Sequence, residues 1–189
     1  MTRYRDQYRI ESIRLPGWDY TSAAHYFVTL CTKNQQCFFG DVVECMMHLS
    51  PIGEIVAEEW QKTPMIRRYV MLDLWVVMPN HLHGIIILVE SPQGDRTSCA
   101  AVVETSRRDV STIPPGVKSG SLGAIIGQVK SVCTKRIWTS GCRDFAWQPR
   151  FYDHIIRDEP SLNRIRQYIV DNPAKWGEDR YNPAKLVAR

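Results

Sequence analysis

Residues 72–89, LDLWVVMPNHLHGIIILV, form the stretch of this 189-residue chain that decides its fold. Two apolar runs, 72–78 and 82–89, have the composition of β-strands. Pro79 and Asn80 separate the runs, and because proline has no N–H to donate to a sheet ladder, one uninterrupted central strand is excluded. The pattern predicts an antiparallel hairpin or a sharply bent continuation at this point.

Further strands and helices flank this stretch on both sides. The predicted elements are a strand at 25–31, a helix that Ser50 caps, with Pro51 at its first position, and that ends near Thr63, a helix at 121–138, a strand at 150–156, and a helix that Asp158 caps and Pro173 stops. The order of these elements favours an α+β domain with helices packed on a mostly antiparallel central sheet. A ferredoxin-like arrangement is the simplest architecture that fits this order.

The composition indicates a single globular domain over residues 1–189. Residues 1–20 are basic and are expected to form an N-terminal arm, whereas 91–120, rich in Ser, Thr, Pro, Gly and Arg, are expected to form a long inserted surface loop. The first residues are too highly charged for a signal peptide, and no apolar run approaches the roughly 20 residues that a membrane-spanning helix needs. A soluble, cytoplasmic protein without a membrane partner is therefore expected.

Cysteine spacing and charge narrow the class of function. The six cysteines include no CxxC pair, which argues against a zinc knuckle or a disulfide framework, and the net charge of +4 permits a polyanionic partner. From Lys130 onward basic and aromatic residues are interleaved, a pattern suited to neutralising phosphates and stacking bases, although a solvated surface over ordinary core aromatics would look the same. The candidate DNA-contacting residues are Lys130, Lys135, Arg136, Arg150, His154 and Arg157.

His81 and His83 form a candidate metal-binding pair. Side chains two residues apart on a strand point to the same face about 7 Å apart, so both imidazoles can reach one small ion while Leu82 points to the opposite face. Two neutral imidazoles leave coordination positions open for phosphate oxygens, as metal-assisted phosphate chemistry requires. A solvent-facing or hydrogen-bonded pair would have the same spacing, so the metal site also needs a third ligand and a nucleophile.

The last predicted helix supplies candidates for both roles. Its buried stripe, Leu162, Ile165 and Ile169, continues to Asn172, and Tyr168 lies one turn before Asn172 on nearly the same face. If this face packs on the histidine-bearing sheet, Asn172 could complete a His, His, amide site beside the Tyr168 phenol. The alternative is a tyrosine at the edge of the core and an asparagine that closes the helix before a proline.

Three segments resemble the HUH single-tyrosine transposases, especially the REP-associated tyrosine transposases and the related small insertion-sequence transposases. Residues 75–85, WVVMPNHLHGI, are similar to the HUH segment of that family. Residues 147–157, WQPRFYDHIIR, and 166–173, RQYIVDNP, are similar to its C-terminal strand and catalytic helix. The likeness covers most of the chain, and the long loop at 91–120 departs from the compact members. The resemblance implies the HUH endonuclease fold.

The resemblance also implies an activity and a set of site residues. His81 and His83 would bind a divalent metal ion, usually Mg²⁺ or Mn²⁺, Asn172 would stand where relatives place a third ligand, and Tyr168 would be the nucleophile. The implied reaction cuts single-stranded DNA, leaves a 5′ phosphotyrosine and a free 3′ hydroxyl, and rejoins strands by reversal. The implied partner is single-stranded or hairpin DNA near palindromic repeats, and relatives act as homodimers or monomers.

Other interpretations of the same residues are open at this point. Tyr152 is a rival nucleophile beside Asp153 and His154, but it has no candidate ligand at helical spacing and lies outside the nucleophile position that the resemblance implies. The chain could also be a domesticated, non-catalytic DNA-binding protein. A third interpretation is a metal-dependent phosphodiesterase that uses water, in which Tyr168 is structural.

Overall fold

The computed structural model describes residues 15–90 and 118–187, together with two short strands, β1 (Arg3–Tyr4) and β2 (Gln7–Tyr8). Half of the predicted arm at 1–20 and nearly all of the predicted loop at 91–120 lie outside the described residues. The other strands are β3 (Ala24–Cys31), β4 (Gly40–Val43), β5 (Met46–Leu49), β6 (Val70–Met78), β7 (His81–Leu88) and β8 (Tyr152–Ile156). The α-helices are α1 (Pro51–Gln61), α2 (Thr63–Ile66), α3 (Leu122–Thr139), α4 (Glu159–Asp171) and α5 (Pro183–Val187), and 3₁₀ turns span Lys33–Gln35 and Trp176–Glu178.

The predicted hairpin lies in a four-stranded antiparallel sheet with the strand order β6, β7, β3, β8. Pro79 and Asn80 form the turn between β6 and β7, as the sequence predicts. Strand β3 comes first along the chain but lies in the sheet between β7 and β8, which come third and fourth. Helix α1 lies in the connection from β3 to β6, and α3 lies in the connection from β7 to β8. This βαββαβ order is the ferredoxin-like arrangement, so the predicted α+β fold class is confirmed.

Helices α1 and α4 begin at the residues that the sequence assigns as caps. The side chains of Ser50 and Asp158 each accept a hydrogen bond from a backbone amide in the first turn of α1 and α4, respectively. Helix α4 ends at Asp171 with Asn172 as its C-cap, directly before Pro173. Within the two described ranges, none of the helices has the length and apolar character needed to cross a membrane.

Strand β7 contributes to two separate cores because its side chains alternate between the two faces of the sheet. Leu82 and Ile86 belong to the main core beneath α1 and α3. His81, His83 and Ile85 lie on the opposite face, which α4 covers. The smaller core on that face consists of Phe27, Ile85, Ile156, Leu162 and Ile169. The histidines and helix α4 therefore face each other across one side of the sheet.

Gly84 allows α1 to pack close to the sheet at the centre of β7. A Cβ atom at this position would lie 2.5 Å from Cζ2 of Trp60, a fully buried side chain of α1. No side chain larger than hydrogen fits in that space without a shift of the tryptophan. The small residue between the histidines and the isoleucines of β7 thus has a packing role on the face opposite to the histidines.

Candidate active site

The environment of His81 determines which of its ring nitrogens carries a proton. Nδ2 of Asn80 donates hydrogen bonds to the backbone carbonyls of Gln35 and Tyr181 at 2.9 and 2.7 Å. The Asn80 amide oxygen therefore faces His81 and accepts from Nδ1 at 2.8 Å. Burial and the charge of Arg180 lower the pKa of His81 to about 3, so the ring is neutral near pH 7. With the proton on Nδ1, the Nε2 atom of His81 presents a lone pair.

His83 links strand β3 to helix α4. Its Nδ1 atom and the hydroxyl of Thr29 are joined by a buried hydrogen bond of 2.8 Å, and a bond of 3.1 Å joins Nε2 to the Tyr168 hydroxyl. Burial lowers the pKa of His83 well below its ordinary value, so this ring is also neutral. The two imidazole centroids are 4.5 Å apart, which places the predicted metal-binding pair and the predicted nucleophile in one cluster.

Tyr168 packs one edge of its ring against the sheet but remains partly accessible to solvent. Its ring packs edge-on against Phe27 at 6.1 Å, and the side chain is 42% exposed. Burial of the phenol, together with the charge of Asp179, raises the pKa of Tyr168 above its ordinary value. The phenol is therefore protonated near neutral pH and must lose its proton as it attacks a substrate.

Asn172 is buried and its side chain is only partly paired. It is 2% exposed, its Nδ2 atom donates to Asp179 at 3.4 Å, and the amide affects the pKa of both His81 and Tyr168. Within residues 15–90 and 118–187, neither Oδ1 of Asn172 nor Nε2 of His81 has a hydrogen-bond partner. Two buried lone pairs without a donor are costly. A bound cation would satisfy both atoms.

Asp179 is a site residue that the sequence did not predict. One ligand atom each of Asp179, His81 and His83 lies within 4.8 Å of the others, a separation that one metal ion can bridge. Asp179 follows the 3₁₀ turn Trp176–Glu178, which brings the chain back over the histidines after α4 ends. Its Oδ1 atom accepts from the backbone amide of Tyr181 at 2.7 Å, which fixes the carboxylate.

The four side chains of His81, His83, Asn172 and Asp179 fit a divalent cation. The unpaired lone pairs of His81 and Asn172 and the nearby carboxylate are the observations that support this fit. Nitrogen and oxygen donors of this kind bind divalent metals. The polar partners behind the histidines, Asn80 and Thr29, orient the rings as outer-shell residues of metal sites do.

Three of the predicted DNA-contacting residues lie near β8, at the edge of the sheet. His154 and Arg157 line a groove of about 620 Å³ together with Tyr152. Arg150 is exposed just before the strand. The rival nucleophile Tyr152 is 36% exposed and stacks edge-on with Phe27, the same ring that contacts Tyr168. These residues flank the histidine face of the sheet.

The other three predicted DNA-contacting residues lie on α3, across the sheet. Lys130 donates to the backbone carbonyls of Gln148 and Arg150 at 2.7 and 2.9 Å, and burial lowers its pKa to about 8. Arg136 forms ion pairs with Glu58 and Glu59 of α1. Lys135 is exposed and borders a groove of about 690 Å³. The structure thus separates this group from the histidine cluster.

The described fold resembles that of a REP-associated tyrosine transposase. A structure of a REP-associated tyrosine transposase bound to a REP hairpin matches with a TM-score of 0.53 and 21% identity, over 94% of this chain and 75% of that chain. A putative transposase from Deinococcus radiodurans matches with a TM-score of 0.41 and 15% identity, over 85% of this chain and 97% of the other. The chain thus has the fold of the REP-associated transposase, as the resemblance in sequence predicts.

One protein shares a higher sequence identity with this chain than the two transposase structures do. A Haemophilus influenzae protein, described as uncharacterized, is 36% identical over 171 residues, which cover 89% of this chain and 91% of the relative. The chain belongs to the same family as that protein. No family model matches the chain.

Four residues of this cluster were predicted from the sequence, and the others were not. His81, His83, Tyr168 and Asn172 share one face because strand and helix periodicity put them there. The missed residues are Thr29, Asn80, Asp179, Arg180 and Tyr181. Thr29 lies on a different strand, and the last three follow a 3₁₀ turn, where no periodicity relates them to the histidines. Only Asn80, directly beside His81 at the hairpin turn, had a position that could have indicated its role.

Proposed function

We propose that this protein is a metal-dependent HUH single-tyrosine transposase that nicks and rejoins single-stranded DNA near hairpins of palindromic repeats. The observation that carries the proposal is the hydrogen bond of 3.1 Å between the Tyr168 hydroxyl and His83, inside a cluster of metal-binding side chains. A structural tyrosine would not need to lie at the open edge of such a cluster. The fold of a transposase bound to a REP hairpin supports the same function.

The proposed metal ligands are His81, His83, Asn172 and Asp179. The bound ion would act as a Lewis acid on a phosphodiester and would neutralise negative charge on it. Two imidazole nitrogens with two oxygen donors form a mixed set, which favours Mn²⁺ over Mg²⁺ because imidazole is a softer ligand than an oxygen atom.

In the proposed reaction, the Tyr168 oxygen attacks the phosphorus atom of a phosphodiester in single-stranded DNA. A bond forms between the phenol oxygen and phosphorus, the bond from phosphorus to the 3′ oxygen breaks, and that oxygen takes up a proton from solvent and leaves as a 3′ hydroxyl. The phenol proton passes to solvent, to which the 42% exposed side chain has access. Attack by a different 3′ hydroxyl on the 5′ phosphotyrosine reverses these steps and joins strands, so no nucleotide cofactor is required.

We further propose that DNA approaches along the β8 edge of the sheet. His154 and Arg157 line the groove beside Tyr152, and Arg150 lies at its start, so this surface offers charge and an aromatic ring close to Tyr168. Basic and aromatic side chains together are the usual composition of single-strand binding surfaces. The α3 residues Lys130, Lys135 and Arg136 would contact a more distant part of a folded DNA.

The proposal is tested by incubating the protein with end-labelled hairpin DNA and Mn²⁺ and separating the products on a denaturing gel. The wild-type protein should form a covalent protein–DNA adduct that Tyr168→Phe and His81→Ala do not form. Tyr152→Phe is the matched control and should retain the adduct. Cleavage without an adduct would identify a hydrolase that uses water, and binding without cleavage would identify a non-catalytic DNA-binding protein.

A further inference from the structure

Arg180 lies between two tyrosine rings at the edge of the histidine cluster. Its guanidinium carbon is 4.6 Å from the ring centroid of Tyr181 and 5.9 Å from that of Tyr152. Its Nη2 atom donates a hydrogen bond to the Tyr181 hydroxyl. Two aromatic contacts and one hydrogen bond thus hold this planar cation at the cluster.

The segment that carries Arg180 is fixed to the histidine strand. Asn80, which orients His81, donates to the backbone carbonyl of Tyr181 at 2.7 Å, and the Tyr181 ring centroid is 4.7 Å from that of His81. Asp179, on the other side of Arg180, is a candidate metal ligand. The same contacts that build the metal cluster therefore position the guanidinium relative to it.

Among the residues that the structure describes, no carboxylate neutralises the charge of Arg180 in an ion pair. Within the described ranges, Arg136 and Arg166 form salt bridges with carboxylates, whereas no salt bridge joins a carboxylate to Arg180, which is exposed. Its positive charge is one cause of the lowered pKa of His81, and it opposes the burial that raises the pKa of Tyr168. A guanidinium that is held beside a candidate nucleophile, with no carboxylate of the described residues in an ion pair with it, is suited to bind an anion.

We propose that Arg180 binds the DNA phosphate that Tyr168 attacks, an inference that rests on the proposed function of the site. Guanidinium N–H groups bind two phosphate oxygens at once, and these oxygens gain negative charge during phosphoryl transfer. Arg180 would hold the phosphate while Tyr181 and Tyr152 hold the guanidinium. This arrangement assigns a role to the segment after α4 that the sequence motifs do not cover.

The inference is tested with hairpin oligonucleotides that carry one uncharged methylphosphonate at each linkage of the single-stranded flank in turn. Binding is measured by fluorescence anisotropy with Mg²⁺ in a Tyr168→Phe background, where no adduct forms. With Arg180 present, affinity should fall at several linkages. When Arg180→Ala is added, the methylphosphonate should no longer change the affinity at one linkage. That linkage should be the one that the wild-type protein joins to Tyr168.

Activity provides a second readout in the same series. Arg180→Ala should slow adduct formation on the natural phosphodiester by roughly 100-fold or more, and Arg180→Lys should restore only part of the rate because lysine cannot bind two oxygens in one plane. Arg68→Ala is the charge-matched control, because Arg68 is exposed in the turn between α2 and β6. It should leave both binding and rate unchanged.

The inference about Arg180 fails if the Arg180→Ala variant loses the same affinity as the protein with Arg180 when a methylphosphonate replaces each phosphate. It also fails if the linkage at which Arg180→Ala loses no affinity is not the linkage joined to Tyr168. If the wild-type protein forms no adduct but Arg180→Ala still becomes insensitive at one linkage, the phosphate site stands and the proposed covalent chemistry fails. An absence of DNA binding would overturn both.

Discussion

At the scale of single residues, the hydrogen bonds of one asparagine organise the site. Asn80 can orient His81 only because its amide donates to two backbone carbonyls and leaves its oxygen for the ring. Sequence periodicity predicted which side chains share a face, and this was sufficient for His81 and His83. It could not predict Asp179, because that carboxylate reaches the cluster through an irregular turn.

Replacing Asn80 should weaken metal binding although Asn80 is not a ligand. Asn80→Ala removes the acceptor that holds the His81 proton on Nδ1, so Mn²⁺ affinity should fall roughly 10- to 100-fold. Isothermal titration calorimetry measures the change, with thermal unfolding as a check of folding. Asn163→Ala, on the exposed side of α4, is the control. Unchanged Mn²⁺ affinity in Asn80→Ala would contradict the assigned tautomer.

A pair of aspartate variants tests the carboxylate ligand. Asp179→Asn should reduce Mn²⁺ affinity by roughly 10-fold or more, because the variant loses the negative charge nearest to the two imidazoles. Asp171→Asn removes the same charge from a residue that pairs with Lys175, and it should bind Mn²⁺ as the wild-type protein does. Equal affinities for the two variants would show that Asp179 is outside the metal site.

At the scale of elements, helix α4 supplies the nucleophile and docks it on the sheet. Leu162 and Ile169 are buried against β-strand residues, and Arg166 pairs with Asp73 of β6. The apolar stripe of α4 was visible in the sequence, whereas the hairpin β4–β5 was not. Its turn has positive φ at Glu44 and Cys45, a conformation that usually selects Asn and Gly, so the usual signal of a hairpin is missing.

Substitution of a buried residue of α4 should weaken the packing of this helix on the sheet. Ile169→Ala should lower the free energy of unfolding by about 2–5 kcal/mol, because it opens a cavity beneath the helix. It should also weaken Mn²⁺ binding, since Asn172 follows within one turn. Val170 is 60% exposed, so Val170→Ala should change stability by no more than about 0.5 kcal/mol. Urea denaturation and Mn²⁺ titration of both variants provide the comparison. Equal losses of stability and of Mn²⁺ affinity in the two variants would contradict the assignment of Ile169 to the face that packs on the sheet.

Across the molecule, the sheet has one face that forms the main core and one face that carries the candidate site. One face packs against α1 and α3 and forms the main core, and the other holds the histidine cluster beneath α4. The order of elements in the sequence was enough to predict the ferredoxin-like sheet. It did not determine that α4 covers the histidine face, because an amphipathic helix fits either side until the packing of α1 and α3 occupies one of them.

Two glycine variants should have effects of opposite sign on the stability of this arrangement. Gly84→Ala places a methyl group 2.5 Å from Trp60 and should destabilise the fold by about 1–3 kcal/mol. Gly127 lies within α3, and apart from its own helix backbone no atom of the described residues lies within 4 Å of its potential Cβ, so Gly127→Ala should stabilise by about 0.5–1 kcal/mol. Thermal unfolding measures both, and a neutral Gly84→Ala would contradict the close contact between α1 and the sheet.

In the proposed reaction, the Tyr168 oxygen becomes covalently bonded to DNA. The most direct measurement is tandem mass spectrometry of the protein after reaction with hairpin DNA and Mn²⁺, followed by nuclease and protease digestion. We predict a nucleotide 5′-phosphate attached to Tyr168, and none when EDTA replaces Mn²⁺. A nucleotide on Tyr152 or Tyr181 instead of Tyr168, or DNA that is cut with every tyrosine unmodified, would show that Tyr168 is not the nucleophile.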